Sequence, residues 1–393
     1  MSPHRLVPAP LAVVLALTIV ASAAAATIRG DAKNNTLVGT SGADRLLGFG
    51  GNDTLRGLGG RDVLLGSAGA DLLTGGTGND RADGGPGDDR IIGGPGDDRL
   101  LGATASDAVD GGDGRDRIEG GGGDDRLHGN AGNDRLIAGA GRDEALGDAG
   151  DDDVSGGSQP DRLDGGDGDD TIAGDAADDR VVGGPGDDVL DGGPQEDRVD
   201  GGEGNDRIDG GRDNDVLLGG PGDDFIVERL SSAEEKIDGG PGDDYIFTGG
   251  GTDREIRGGD GNDIVRGGFQ QPNREGADQL GDGFSDGGNG ADIVLGGAAN
   301  DRVNGGAGDD FLFGGPRFDI YDCGPGNDVA FVENALEAAS ATQNGCETLF
   351  MTDPSVTDRL FDGAALLSKP HPGKVTGGAE GAKLIAAVEG GPG

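Results

Sequence analysis

The chain contains no tryptophan, two tyrosines, two cysteines and three histidines in 393 residues, and only 3% of it is aromatic. A thick globular core leans on buried rings, so this composition excludes one. Positive charge is scarce too: 31 Lys and Arg stand against 75 Asp and Glu, a net charge of -44. Nucleic acid is excluded as a partner, because phosphate binding needs a positive footprint. His4, His128 and His371 are dispersed and offer no clustered zinc ligands. The one N-terminal apolar stretch is shorter than the roughly 20 residues a membrane span needs, and no second run is of spanning length. Cations are the partners this charge favours.

Glycine is abundant, at 88 residues. Low hydrophobicity with high net charge is the composition of a disordered chain, so periodicity has to decide. Counted in nines from Gly30, the phase holds without insertion or deletion through Val227, giving 22 units. The sixth position is Asn35 in the first unit and Asp in every later one. The eighth is Leu, Ile or Val except at Ala82 and Ala145. Positions one to six are glycine-rich, as a tight turn with positive φ requires. Positions seven to nine place one aliphatic residue between two mostly polar ones, the pattern of a short strand with its middle side chain inward. Two units would complete one coil, and coils would stack as parallel strands. An all-β parallel β-roll is expected, with Leu55, Leu64, Leu73, Ile91, Leu127 and Ile208 among its inward row. Outward, position seven is repeatedly Arg (Arg81, Arg99, Arg117, Arg135) and position nine often acidic (Asp83, Glu119, Asp164), so lateral ion pairs are expected on the faces.

One aliphatic residue per nine buries little, and glycine loses more freedom on folding than any other residue. Stacked aspartates also repel one another. The roll therefore needs a cation between its turns. Carboxylates and turn carbonyls are hard oxygen ligands suited to Ca²⁺ with its six to eight flexible contacts, more than to octahedral Mg²⁺.

The units resemble the RTX nonapeptide G-G-x-G-x-D-x-U-x, U being aliphatic, in stretches such as Gly75–Asp80, Gly84–Asp89, Gly165–Asp170, Gly239–Asp244 and Gly305–Asp310. The resemblance implies a calcium-binding, RTX-type right-handed parallel β-roll with several Ca²⁺ ions. Each would lie between two turns on one edge, held by the position-six Asp of units n and n+2 and by turn carbonyls. The candidate ligands are Asp53, Asp62, Asp71, Asp80, Asp89, Asp98, Asp116, Asp125, Asp134, Asp152, Asp170, Asp188, Asp206, Asp224, Asp244, Asp263, Asp292 and Asp310. Where Ala103-Thr104-Ala105, Ser158-Gln159-Pro160, Ala176-Ala177 and Pro194-Gln195-Glu196 replace turn residues, weak or empty sites are expected.

Residues 1–26 read as a signal peptide: Arg5, an apolar Leu11–Val20 and an alanine-rich cleavage region ending near Ala26. The mature protein is expected outside the cell, unlike most RTX proteins, which carry a C-terminal export signal. Residues 27–227 form the uninterrupted array. Residues 228–331 continue it with insertions, with Glu235 in an Asp place and Gln270–Gly283 as a loop. Residues 332–351 form a cap stapled by a Cys323–Cys346 disulfide, as two cysteines in an exported chain suggest. Residues 352–393 are a tail without repeats, expected to be disordered.

No catalytic motif survives its context. H-E-x-x-H and G-K-[ST] are absent, and the G-x-S-x-G at Gly283–Gly287, centred on Ser285, has no strand-turn-helix setting or histidine partner. The chain is expected to be a calcium-binding scaffold and not an enzyme. The alternative is a calcium-dependent adhesin whose Arg rows hold a cell-surface or matrix polysaccharide.

Overall fold

The computed structural model describes residues 25–228, 236–248, 255–267, 284–297, 300–315, 318–332 and 344–351. The expected signal peptide, Glu235, the Gln270–Gly283 loop and the tail lie outside the described residues, apart from Ala25 and Ala26 at the signal-peptide end.

Every regular element among them is a β-strand. Strands of an 18-stranded sheet alternate along the chain with those of a 16-stranded sheet. Apart from Val329–Val332, which pairs with the next strand Thr348–Met351, each strand pairs in parallel with the strand two further on: Arg81–Pro86 with Arg99–Thr104, and Arg90–Ile92 with Ala108–Asp113. Register is held by the eighteen-residue coil, as in Leu100↔Ile118 and Ile118↔Leu136. The chain is thus a two-sheet parallel β-roll. At ~4.8 Å per strand, the longer sheet extends about 80 Å.

A typical strand runs from position seven of one unit to position three of the next, as in Arg117–Gly122. Position eight and the following position-one glycine face inward, and the residues between them face out. The core is a double row in which Leu46, Leu55, Leu64, Leu73, Ile91, Ile118, Leu127 and Leu136 are fully buried. A side chain at position one would enter this narrow space, so glycine there sets the thickness of the roll. Ser285 occupies a position-eight slot, buried and paired in register with Ile256 and Val303. It therefore lines the core, not a nucleophile turn.

The distal half departs from the expected polar exterior. Outward positions become Ile293, Leu295, Phe311, Phe313 and Phe331, all buried. The alternation assumed for positions seven and nine ends there, and the first sheet becomes apolar on both faces. The inner row of the second sheet changes as well. Tyr321 replaces an aliphatic residue, its backbone-facing hydroxyl accepting from Gly314 N–H at 2.9 Å and donating to Phe331 O at 2.7 Å.

The C-terminal staple is part of the roll. Cys323 and Cys346 are disulfide-bonded with Cα atoms 5.1 Å apart. The Cys323 N–H donates to Asn344 O at 3.0 Å, and Thr348–Met351 joins the first sheet beside Val329–Val332. Of the expected cap, residues 333–343 lie outside the described residues.

Candidate metal centre

The roll has two edges, and each position-six aspartate sits on one of them. Turns leading from the second sheet into the first carry Asp44, Asp62, Asp80 and so on to Asp328; this is edge one. Turns leading from the first sheet into the second carry Asp53, Asp71, Asp89 and on to Asp215, and further along Asp301 and Asp319, whose N–H to Oδ1 bond is 2.8 Å; this is edge two.

Along each edge the aspartates are chained. Each backbone N–H donates to Oδ1 of the aspartate one coil on: Asp62 to Asp80 at 2.7 Å, Asp80 to Asp98 at 2.6 Å, Asp170 to Asp188 at 2.8 Å. On edge one the series runs from Asp44 to Asp328 across every insertion, including Asp224 to Asp244 and Asp263 to Asp292, both at 2.9 Å. Its ends are closed locally. Asp44 Oδ2 accepts from the Thr40 amide and hydroxyl, and the Asp328 N–H donates to Glu347 Oε2 at 2.9 Å.

One carboxylate oxygen per residue is thus occupied, while the other is buried without a hydrogen-bond partner. This holds for Oδ2 of all eighteen candidates, from Asp53 to Asp310, and each of these residues is at most 3% exposed. A row of buried anionic oxygens without donors is costly unless a cation meets it. Backbone carbonyl oxygens stand close by to complete a donor set. A Cβ built on Gly75 would fall 2.5 Å from Asp80 Oδ2 and 2.7 Å from Gly93 O. On Gly129 it would fall 2.5 Å from Asp134 Oδ2 and 2.6 Å from Gly147 O. A carboxylate oxygen and a carbonyl from the next coil thus converge beside each bare glycine Cα. The convergence survives where Cys323 replaces a position-one glycine, since its carbonyl lies 2.9 Å from the Cβ that Gly305 lacks.

Burial and mutual repulsion push these carboxyls up. Asp98, Asp116, Asp152 and Asp170 are raised to about 7 and Asp224 to about 8, first by desolvation and then by neighbouring aspartates, against the stabilising backbone hydrogen bond. No three His, Cys, Asp or Glu side chains cluster as a metal site among the described residues. The donor set is carboxylate plus backbone carbonyl, all oxygen, which fits Ca²⁺ and not zinc.

The same geometry extends to aspartates that the glycine pattern passed over: Asp107, Asp143, Asp161, Asp179 and Asp197 are equally buried with an unpartnered Oδ2. The unbroken nine-residue phase, more than the surrounding turn sequence, was the signal that marks them. The four altered turns keep their aspartates in place and absorb the change in the backbone, with Ala103, Ala105, Gln159, Ala177 and Gln195 at φ between 81 and 114°. The N-terminal run of edge two closes differently from the ends of edge one. Glu228 takes a position-one glycine slot, is fully buried, and its carboxyl shares a hydrogen bond with Asp215, whose own carboxyl is pushed well up by desolvation and by this neighbour.

The outward ion pairs are exposed: Arg117–Glu119 at 2.9 Å, Arg135–Asp153 at 3.0 Å and Arg126–Glu144 at 3.6 Å. Such pairs contribute little. No helix among the described residues is long and apolar enough to cross a membrane.

The profile of a known family, described as RTX calcium-binding nonapeptide repeat (4 copies), matches residues 29–64, 65–100, 101–136, 110–145, 128–163, 146–181, 164–199, 173–207, 191–226, 234–254, 255–271 and 286–316. No curated protein matches the chain.

Proposed function

This chain belongs to the RTX calcium-binding nonapeptide repeat family, and from that membership we propose that it is an exported structural protein whose roll folds as calcium enters its edges. The buried, donorless Oδ2 row carries this reading. Bound calcium would supply the positive charge between carboxylates that otherwise repel. The chain's part is to set oxygens at fixed intervals: position-six aspartates supply carboxylates, position-one carbonyls approach from the next coil, and position-one glycines leave the space open. In a cytosol poor in calcium the chain would stay extended and passable for export; outside, at millimolar calcium, it would close into a stiff scaffold. The N-terminal Met1–Ala26 fits this route. Small-angle scattering of the mature chain tests it: calcium should contract a coil into a rod about 80 Å long or somewhat more. A chain of unchanged dimensions would count against it. Recovery of the protein from the medium with a new N-terminus near Thr27 tests export.

One observation favours an adhesive role beside the scaffold. Arg81, Arg99, Arg117 and Arg135 stand in register on four neighbouring strands, a spaced cationic row that suits an anionic polysaccharide. Calcium-dependent retention on such a polymer, lost in a quadruple Arg→Gln variant, supports it; equal retention of that variant counts against it.

A further inference from the structure

The two edges are not equivalent. On edge one the fourth residue of the turn is glycine at every coil, from Gly42 through Gly60, Gly186 and Gly308 to Gly326. On edge two it is glycine at Gly51, Gly69, Gly87, Gly123 and Gly141, but Ala105 interrupts this run. Gln159, Ala177, Gln195 and Asp213 then follow in consecutive coils.

Position four is where successive turns touch backbone to backbone. A Cβ on Gly150 would fall 2.5 Å from the carbonyl carbon of Gly132, and one on Gly168 would fall 2.6 Å from that of Gly150. From Gly60 to Gly308 on edge one, φ lies between 108 and 153°, a region few other residues adopt. Ala105, Gln159, Gln195 and Asp213 on edge two are turned back to 80–87°.

The inter-coil hydrogen bonds report the consequence. On edge one the position-four N–H donates to the next coil at every turn from Gly60 to Gly308, at 2.7–3.0 Å. On edge two the bond is 3.0 Å at Gly69, 3.2 Å at Gly87, 2.7 Å at Ala105 and Gly123, 3.3 Å at Gly141 and 3.1 Å at Gln159, so a single replacement such as Ala105 is tolerated. Among the described residues, Ala177 and Gln195 make no such bond. Beyond Asp215 the Glu228 side chain fills the space beside Gly210 that glycine leaves open elsewhere. Of the eighteen candidate ligands drawn from the glycine pattern, all but Asp53, Asp71, Asp89 and Asp125 lie on edge one.

We propose that calcium forms one continuous row along edge one through the whole roll, while on edge two tight sites are confined to the N-terminal half and the distal Asp301–Asp319 pair, with the turns from Gln159 to Glu228 forming a weak, separable class. This rests on the calcium reading above and adds a division of labour. Edge one is the tightly held spine. Between Asp215 and Asp301 on edge two the sequence inserts residues after Glu228, Thr248 and Gly267.

Flow dialysis of radioactive Ca²⁺ on the full chain tests it. Two classes of site are expected, their affinities differing by roughly tenfold or more, as rigidity tunes oxygen sites. The triple variant A177G/Q195G/D213G should move sites from the weak class to the tight one. The paired variants G168A and G186A on edge one should lose tight sites and leave the weak class in place. A single class in the wild-type chain, or a triple variant with the wild-type isotherm, overturns the division while leaving the calcium reading intact. No calcium bound at all overturns both. Should G168A or G186A fail to fold, the triple variant, which only removes side chains, decides the matter.

Discussion

Each turn holds together through a few atoms. An aspartate spends Oδ1 on the backbone of the preceding coil and turns Oδ2 into a space that only glycine leaves open. Asp170→Ala removes both the bond from the Asp152 N–H, 2.8 Å long, and one carboxylate. The calcium midpoint for folding should rise several-fold, roughly 3–10 times, as expected when a site loses ligand charge; circular dichroism in calcium titrations reads it. Protonation acts through the same residues. Asp98, Asp116 and Asp170, at about 7 in the roll, ionise near 4 when unfolded. Between those values the folded chain holds protons that the unfolded chain has released, so the metal-free roll is most stable below about pH 4. It loses that stability as pH rises through about 7. In chelator, lowering the pH from 8 to 5 should raise the β signal. A signal that falls on acidification would reverse the sign. Leu58 bears a left-handed strain at φ 83°, so Leu58→Gly should leave the calcium-loaded roll as stable or stabilise it by about 1 kcal/mol in denaturant titrations.

Among the elements, strands and core row were legible from the nine-residue phase alone. Position eight dictates which side chain is inward, and Leu55, Ile91 and Leu127 are fully buried there. Leu127→Ala should cost about 2–4 kcal/mol, read as a loss of denaturation midpoint in saturating calcium. Three features were not legible, for physical reasons. The outward burial of Phe311 and Phe313 depends on what lies over the sheet, which no local period encodes. The shared carboxyls of Asp215 and Glu228 arise because a side chain crosses from one coil to the next. The Glu347 contact that closes edge one comes from a residue without a repeat around it, placed there by the disulfide one residue before. Cys346→Ser should lower stability by about 3 kcal/mol, the loop-closure value for a bridge of this span. It should also expose the Thr348–Met351 amides to hydrogen exchange before the rest.

For the whole molecule, we propose that the roll acts as a charged spring that calcium would hold shut. Hydrogen bonds and one aliphatic residue per unit define its shape. The closely stacked aspartates oppose that shape, and a divalent cation between them would offset the repulsion. The chain's net charge of -44 makes the coil expand in low calcium, and the short, repeated contacts between neighbouring coils make closure propagate from any point. The measurement that tests this most directly is circular dichroism of the mature chain, purified in chelator at neutral pH and titrated with Ca²⁺ and separately with Mg²⁺. A cooperative passage from coil to β with Ca²⁺, and none with Mg²⁺ at the same concentrations, is the predicted result. A spectrum already rich in β structure in chelator would contradict it, for then the ladders and the core would suffice without the ion.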